Sequence, residues 1–251
     1  MEYTLKKSLG QHFLKDEAVS IRIREALQVV PFTQLLEVGP GGGALTRHLF
    51  NWPGVDFKAV ELDQEKLDYL VRTYPAIAGK LIAGDILQIA PPFAGSFHVA
   101  GNFPYNISSQ ILFRMLEWKE QVPLMVGMFQ KEVAERVVSA PGSRVYGILS
   151  VLIQAFYEAE YLFDVPPESF NPPPKVMSGV IRLVRRKEPV PMQSERKLQV
   201  LVKAAFNQRR KMLRNAVKGL FTPDILQDAL FDKRAEQLSV EQFCRLSFLM
   251  V

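Results

Sequence analysis

The sequence predicts an α/β fold: a doubly wound sheet followed by a small C-terminal all-helical domain. Three observations support this prediction. Short apolar runs alternate with stretches of helical periodicity along most of the chain. Ligand-type residues follow several of the apolar runs, as they do in open α/β sheets, which bind ligands at the carboxyl ends of their strands. After the Pro-rich stretch 189–191, residues 194–251 show helical periodicity throughout. We therefore expect one domain at 1–187 and a second at 188–251.

Composition limits the class of protein. The 251 residues are 48% apolar, which is ample for the core of a large and a small domain. No apolar run approaches the roughly 18 residues of a membrane helix, and no apolar signal segment begins the chain. These features predict a cytoplasmic protein with no membrane partner. A net charge of +5 favours an anionic partner. The lone Cys244 excludes an internal disulfide and a cysteine-based zinc site, and we expect its thiol to be buried.

The first elements are an arm, a helix and a strand that ends in glycines. Residues 6–14 mix cations, glycine and aromatics and predict an ordered arm or a lid, and 16–30 have helical spacing. Apolar residues 34–38 then lead into Gly39, Gly41 and Gly43. Such glycines allow close approach to a ligand, but their spacing matches a dinucleotide fingerprint only loosely, and no P-loop lysine follows. The alternative is a tight strand-to-helix turn without a ligand.

Two further predicted strands end in acidic residues. Glu61 follows strand 55–60 at the place where a carboxylate binds both hydroxyls of a ribose. Asp85 follows strand 80–83 and can accept a hydrogen bond from an adenine amino group, although a lone acid at a strand end is more often a cap. In series with the glycine turn, these residues predict a nucleoside pocket along one rim of the sheet.

The fourth strand end carries Asn102-Phe103-Pro104-Tyr105. An exocyclic amine is a weak nucleophile, and the Asn102 side-chain carbonyl can accept one of its hydrogens. Pro104 biases Phe103 toward an extended backbone, which can leave the Phe103 carbonyl free to accept the other. Tyr105 offers a stacking face worth about 1–3 kcal/mol. The alternative is a plain strand end before a helix. With the nucleoside pocket beside it, this segment predicts a nucleobase site.

Groups for hydride or phosphoryl chemistry are not evident, so the two neighbouring sites point to S-adenosylmethionine and methyl transfer. The sulfonium already activates the methyl group. In-line positioning of the amine in a dry pocket can then supply most of the acceleration. We therefore expect neither an acid–base pair nor a metal.

Seven motifs between residues 6 and 215 occur in one order. They are GQHFL at 10–14, EVGPG at 37–41, ELD at 61–63, GD at 84–85, NFPYNIS at 102–108, VPPESFNPPPKV at 165–176 and AFNQRRK at 205–211. On these motifs the chain closely resembles the KsgA group of small-subunit ribosomal RNA adenine dimethyltransferases, whose relatives include the Erm resistance methyltransferases and mitochondrial transcription factor B. The resemblance implies a Rossmann-like S-adenosylmethionine-dependent methyltransferase domain with a small C-terminal helical domain.

The resemblance also implies roles for individual residues. The cofactor-binding positions are His12, Leu14, Gly39, Gly41, Glu61, Asp85 and Asn102. The arm residues His12 and Leu14 touch the cofactor, Glu61 holds its ribose and Asp85 its adenine. The catalytic positions are Asn102, Phe103, Pro104, Tyr105 and Phe170. Phe170 is expected to be a second aromatic wall, so that the target adenine lies between Tyr105 and Phe170; the alternative is a core residue after a proline turn.

Basic clusters predict where RNA phosphates bind. The candidates are Lys6, Lys7, Arg185, Arg186, Lys187, Arg209, Arg210, Lys211 and Arg214. The alternative for each cluster is a solvated face. Phosphate contacts position an RNA without specifying it, so we expect target choice to come from RNA shape, with the target adenosine leaving its stack.

The expected activity is dimethylation of the N6 amines of two adjacent adenosines in a 3′-terminal hairpin of small-subunit (16S) rRNA, coupled to ribosome assembly. We expect a monomer acting on a pre-ribosomal particle. One alternative is an Erm-type large-subunit methyltransferase, which Phe103 and the FNQRRK stretch at 206–211 argue against. The other is a non-catalytic RNA-binding assembly factor, which the intact Glu61, Asp85, Asn102 and Tyr105 argue against.

Overall fold

The computed structural model describes residues 12–251, which divide into two compact units. Unit 1 comprises residues up to Ala134 together with Glu160–Arg185, and unit 2 comprises Glu135–Ala159 and Arg186–Val251. The domain boundary expected after residue 187 lies close to the last boundary between the two units, which follows Arg185. However, residues 135–159 group with the C-terminal residues. The two-domain boundary drawn from the sequence therefore stays a prediction.

The strands form one large sheet and one small one. In chain order they are β1 (Phe13–Leu14), β2 (Gln34–Val38), β3 (Asp56–Glu61), β4 (Leu81–Ala83), β5 (His98–Asn102), β6 (Leu124–Gln130), β7 (Tyr157–Val165), β8 (Phe170–Asn171) and β9 (Ser178–Arg185). The large sheet has the order β4-β3-β2-β5-β6-β9-β7. Strands β2 to β6 pair in parallel, and β9 pairs antiparallel with β6. The predicted α/β, Rossmann-like fold is confirmed.

The α-helices connect these strands and build unit 2. They are α1 (Glu17–Ala26), α2 (Thr46–Leu49), α3 (Gln64–Thr73), α4 (Ser108–Glu117), α5 (Lys131–Val138), α6 (Ile148–Gln154), α7 (Glu195–Asn207), α8 (Leu213–Ala216) and α9 (Val240–Ser247). Side-chain caps begin several of them. Asp16 accepts a bond from the Ala18 amide, and Asp63 accepts one from the Glu65 amide. In the described part of the chain, every helix is too short or too polar to cross a membrane.

The strand order explains why the site lies where it does. The central strands are buried on both faces and are almost continuously apolar, as is usual for parallel strands covered by helices. The chain builds β3 and β4 on one side of β2 and then crosses to build β5 on the other. Open α/β sheets have their ligand crevice at such a reversal, outside the carboxyl ends of the strands. The residues that follow β2, β3, β4 and β5 therefore meet there.

The small sheet joins distant parts of unit 1. In it, β1 pairs antiparallel with β8, so that Phe13 lies opposite Asn171 and Leu14 opposite Phe170. The Lys15 amide donates to the Ser169 carbonyl at 2.9 Å, and the Ser169 hydroxyl donates to the Asp16 carboxylate at 3.0 Å. We call residues 12–16 together with 169–172 the β1–β8 clamp. It holds the described start of the chain beside the carboxyl end of the large sheet.

Unit 2 is helical and has its own aromatic core. The Phe206 ring lies 6.0 Å from that of Tyr146 and 5.8 Å from that of Phe243. Cys244 is buried as predicted, and burial raises the pKa of its thiol to about 12. The expectation of helix throughout 194–251 was wrong between α8 and α9, where the chain forms only short 3-10 turns. Pro223 and Gly219 lie in this stretch, and both disfavour a continuous helix.

Candidate active site

A cavity of about 280 Å³ opens at the carboxyl ends of β2 to β5. It brings together residues that lie far apart in the sequence. The predicted site residues that line it are His12, Leu14, Gly39, Gly41, Glu61, Asp85, Asn102, Phe103, Pro104 and Tyr105. All of the predicted cofactor positions are thus on one cavity, together with the Asn102–Tyr105 segment.

The glycine turn after β2 is tied to the end of β3. Gly41 has a φ of +53°, and a Cβ atom there would lie 3.1 Å from the Phe13 ring, so both backbone conformation and space favour glycine. The Gly41 amide donates to Glu61 Oε2 at 3.2 Å. This bond fixes the glycine turn as one wall of the cavity, with the backbone of the turn facing the space that a ligand would occupy.

The Glu61 carboxylate is oriented by two backbone amides and can accept further hydrogen bonds. Its Oε1 accepts from the Asp63 amide at 3.0 Å, and the residue is only 8% exposed. Burial raises the pKa of the Glu61 carboxyl, while the bonds from the Asp63 and Gly41 amides lower it. Each carboxylate oxygen can accept more than one hydrogen bond, so capacity remains for two hydroxyls of a ribose.

Asp85 is both a turn cap and a residue of the cavity. Its Oδ1 accepts from the Leu87 amide at 2.9 Å, which is the capping role named as the alternative. The same residue lines the cavity, and the neighbouring Gly84 amide donates to the Glu61 carbonyl at 3.0 Å. The cap therefore orients the carboxylate at the cavity instead of competing with that placement.

Glu37 is a cavity residue to which the sequence analysis gave no role of its own. It lies in β2, is 1% exposed, and its Oε2 has no hydrogen-bond partner among the described residues. Burial raises the pKa of its carboxyl from 4.5 to about 8, the Thr46 hydroxyl lowers it and the Glu61 charge raises it further. A charged residue inside the apolar run LLEV was the available signal. An unsatisfied buried carboxyl beside a cavity suits a cationic ligand group.

The Asn102–Tyr105 segment is anchored by the Phe103 side chain. Phe103 is 1% exposed, its ring lies 5.0 Å from that of Phe129, and its amide donates to the Met128 carbonyl at 3.2 Å. A Cβ atom on Gly127 would lie 2.1 Å from the Phe103 ring, so glycine in β6 makes the space for it. With Phe103 buried, Asn102 and Tyr105 on either side line the cavity.

Tyr105 and Asn102 are oriented by neighbours from the clamp and from β9. The Tyr105 hydroxyl bonds Ser178 Oγ at 2.6 Å, and burial raises the pKa of the Tyr105 hydroxyl. The His12 ring stacks on Tyr105 with centroids 5.6 Å apart at 29°. Asn102 Nδ2 donates to the His12 carbonyl at 3.2 Å. Because its nitrogen is engaged, the Asn102 amide presents its oxygen as the acceptor for a substrate.

Phe170, the predicted second aromatic wall, does not lie at the cavity. It is 1% exposed, packs in the hydrophobic core of unit 1 and does not line the cavity. Its place in β8 opposite Leu14 accounts for this burial. In this structure Phe170 is thus the core residue named as the alternative, and the second aromatic wall predicted for it would require its side chain to leave this packing.

The structure separates the basic candidates into two groups. Lys6 and Lys7 lie outside the described residues. Four arginines bond within their own unit: Arg185 to the Lys119 carbonyl, Arg186 to the Gln154 carbonyl, Arg209 to the Ser143 carbonyl and the Glu236 carboxylate, and Arg214 to Asp232. Lys187, Arg210 and Lys211 are exposed. The exposed three are better placed for RNA phosphates than the four arginines that hold the fold.

Comparisons with known proteins identify the family of the chain. The family described as "Ribosomal RNA adenine dimethylase" matches residues 2–250. A protein from Parabacteroides distasonis named "Ribosomal RNA small subunit methyltransferase A" is 49% identical over 248 residues, covering 97% of this chain and 93% of its own. A protein of the same name from Porphyromonas gingivalis is 45% identical, covering 100% of this chain and 99% of its own.

Solved structures show the same fold. A dimethyladenosine transferase from Plasmodium falciparum superimposes with a TM-score of 0.79 at 24% identity, covering 94% of this chain and 96% of its own. The 23S rRNA methyltransferase ErmE superimposes with a TM-score of 0.74 at 25% identity, covering 95% and 99%. With the match over almost its whole length, the chain belongs to the ribosomal RNA adenine dimethylase family of S-adenosylmethionine-dependent methyltransferases.

Proposed function

We propose that this protein dimethylates the N6 amines of two adjacent adenosines in a 3′-terminal hairpin of small-subunit (16S) rRNA, coupled to ribosome assembly. The observation that carries the proposal is that one cavity joins the carboxylates suited to a nucleoside with the Asn102–Tyr105 cradle. The relatives named as small-subunit methyltransferases support the choice of substrate.

The cavity fits S-adenosylmethionine on its own chemistry. Glu61 would accept from ribose hydroxyls, Asp85 from the adenine amine, and the turn at Gly39 and Gly41 would border the methionine part. The Glu37 carboxyl, whose Oε2 has no hydrogen-bond partner among the described residues, would ionise more readily beside a cationic cofactor and would then offer it a counter-charge. When bound, the cofactor supplies a methyl group on a sulfonium, already activated for transfer.

The residues of the chain then act on the amine. Asn102 Oδ1 accepts one N6 hydrogen, the Phe103 carbonyl accepts the other, and both favour a tetrahedral nitrogen as its lone pair turns to the methyl group. Tyr105 stacks on the base, and its bond to Ser178 fixes the ring. Holding the amine in line with the methyl group in this way can lower the activation free energy by several kcal/mol, because the entropy cost of bringing the reactants together has already been met. The product nitrogen can lose its proton after transfer, so the mechanism needs neither a general base nor a metal.

The proposed partner is a pre-ribosomal small subunit, bound by a monomer in the cytoplasm. Exposed Lys187, Arg210 and Lys211 would contact phosphates, and the salt dependence of binding should reflect them. An Erm-type activity on large-subunit RNA is the second candidate, because the fold of ErmE is closely similar.

The test is methyl transfer from labelled S-adenosylmethionine to purified, undermethylated small subunits, with large subunits and free rRNA in parallel. Nucleoside analysis of the product should show N6,N6-dimethyladenosine, and sequencing should place it at two neighbouring adenosines. We expect label in small-subunit RNA alone.

Other outcomes would reject the proposal in distinct ways. Label in large-subunit RNA would favour the Erm-type activity. Cofactor binding without transfer to any substrate would favour a non-catalytic assembly factor. Monomethyladenosine as the only product would contradict dimethylation while leaving the substrate assignment intact.

A further inference from the structure

One face of the Tyr105 ring, on which a base could stack, is in contact with the His12 ring. The His12 ring lies on it with centroids 5.6 Å apart and an interplanar angle of 29°, a stacked arrangement. The Tyr105 ring itself is fixed, because its hydroxyl bonds the buried Ser178 at 2.6 Å. A base that stacks on this face must therefore displace the His12 ring rather than move Tyr105.

Among the described residues 12–251, one hydrogen bond holds the His12 ring. Its Nδ1 lies 2.9 Å from the Pro172 carbonyl, at the end of the clamp. By contrast, the His12 backbone carbonyl accepts from Asn102 Nδ2 at 3.2 Å, and the adjoining Phe13 and Leu14 pair with β8. The ring can leave by side-chain rotation while the backbone continues to orient Asn102. The His12 ring thus contacts Tyr105, whereas the His12 backbone contacts Asn102.

We propose that the His12 ring is an autoinhibitory contact: it occupies the stacking place of the target adenine in the RNA-free protein, and the incoming base displaces it. This inference rests on the proposed function. The physical basis is competition. An adenine that has left its own stack gains the stacking energy of Tyr105 but must first break the ring pair and the bond to Pro172, which lowers the affinity for the target RNA.

The prediction is a selective change in the affinity for RNA. In His12→Ala the face is free, so the KM for RNA should fall about three- to tenfold, as expected for the loss of one aromatic pair. In His12→Trp a larger ring competes better, and the KM should rise by a similar factor. Both variants keep the backbone carbonyl that orients Asn102, so kcat should change less than KM.

The experiment has a readout that does not depend on turnover. A small-subunit hairpin RNA with 2-aminopurine at the target position reports stacking in the site by quenching of its fluorescence. We expect tighter binding and stronger quenching with His12→Ala than with the unchanged protein, and the reverse with His12→Trp. Because His12 also lines the cofactor cavity, RNA binding is measured at saturating S-adenosylmethionine, and cofactor affinity is measured separately by calorimetry. His48→Ala, which does not line the cavity, is the matched histidine control.

Each outcome supports or rejects the proposal. Tighter RNA binding for Ala and weaker for Trp supports it. Weaker binding for both variants would mean that the His12 ring helps to hold the base, and unchanged binding for both would mean that it has no part in base entry; either result rejects it. Failure of the unchanged protein to methylate small subunits would instead reject the proposed function, so the two failures are distinguishable.

Discussion

The two sides of the cavity are built differently. On the cofactor side, Glu61 and the Gly41 turn extend from long parallel strands and bond to each other and to neighbouring amides. On the base side, Asn102 and Tyr105 are contacted by His12, which belongs to a clamp of two-residue strands. Both sides start from strands of the central sheet, but the base side also depends on single side-chain contacts to His12 and Ser178.

This difference suggests a division of labour. The cofactor side is already bonded together in the unliganded protein, so we expect it to bind the cofactor with little reorganisation. In the proposed mechanism, the target base arrives on a large RNA and displaces the His12 ring from Tyr105. Disruption of the base side should therefore reduce transfer, whereas disruption of the cofactor side should change cofactor affinity and the stability of the sheet.

The largest expected effect is on the base side. Asn102→Ala removes the acceptor for the N6 hydrogen, and methyl transfer should fall at least about a hundredfold, as for removal of a group that acts in the transition state. Cofactor binding should be weakened but measurable. Single-turnover transfer and calorimetry check the two quantities, and Asn51→Ala, at an exposed position, is the control. Near-normal turnover of Asn102→Ala would remove Asn102 from the mechanism.

On the cofactor side, Glu37→Gln should stabilise the protein in the absence of cofactor. The folded pKa of about 8 lies above the unfolded value of 4.5, so the contribution of Glu37 to stability is fully present below pH 4.5 and is lost as the pH rises to about 8. At pH 7 the loss is about 3 kcal/mol, which glutamine avoids because it does not ionise.

Urea unfolding of both proteins between pH 4.5 and 8 measures this effect. The free energies of unfolding should coincide near pH 4.5 and diverge as the pH rises. A difference that is independent of pH would show that the Glu37 carboxyl is ionised in the folded protein and would contradict the prediction.

Gly127→Ala tests the Phe103 anchor of the base side. The added Cβ would lie 2.1 Å from the Phe103 ring, and overpacking of a core typically costs roughly 1–3 kcal/mol. Thermal unfolding should show the loss of stability, and transfer should fall because Asn102 and Tyr105 flank Phe103. Gly219→Ala, where a Cβ meets nothing within 4 Å, is the matched control. Equal melting temperatures for the two variants would refute the packing argument.

The smallest effect is expected for Glu61→Gln. Glutamine loses one acceptor oxygen, so cofactor affinity should fall about tenfold, or about 1.4 kcal/mol. Transfer at saturating cofactor should be nearly unchanged, because the base side is untouched. Calorimetry with S-adenosylmethionine measures the affinity, and Glu25→Gln on the exposed face of α1 is the control. A drop in methyl transfer at saturating cofactor, with unchanged affinity for the cofactor, would contradict the assignment of Glu61 to the cofactor side.

Much of the fold was predictable because its signals are local. The predicted strands 34–38, 55–60 and 80–83 and the strand before Asn102 occur as β2, β3, β4 and β5 within a residue or two, and the helix predicted from residue 16 occurs as α1. Strand β7 was missed although Tyr157, Ala159, Tyr161, Phe163 and Val165 alternate with mostly polar residues, a period-two signal that the sequence contains. The two-residue strands β1 and β8 are too short to have any periodicity.

For the site, the residue types at the strand ends could be read from the chain alone: glycines follow β2, a carboxylate ends β3, and an amide ends β5 with an aromatic ring shortly after it. Parallel strands place such residues on one rim, so their convergence could be predicted. The folded structure was needed to show that Phe170 is buried opposite Leu14, that Glu37 Oε2 has no hydrogen-bond partner among the described residues and that the His12 ring stacks on Tyr105. Each of these depends on contacts between residues far apart in the chain, and burial and pairing across such distances have no local signature in a sequence.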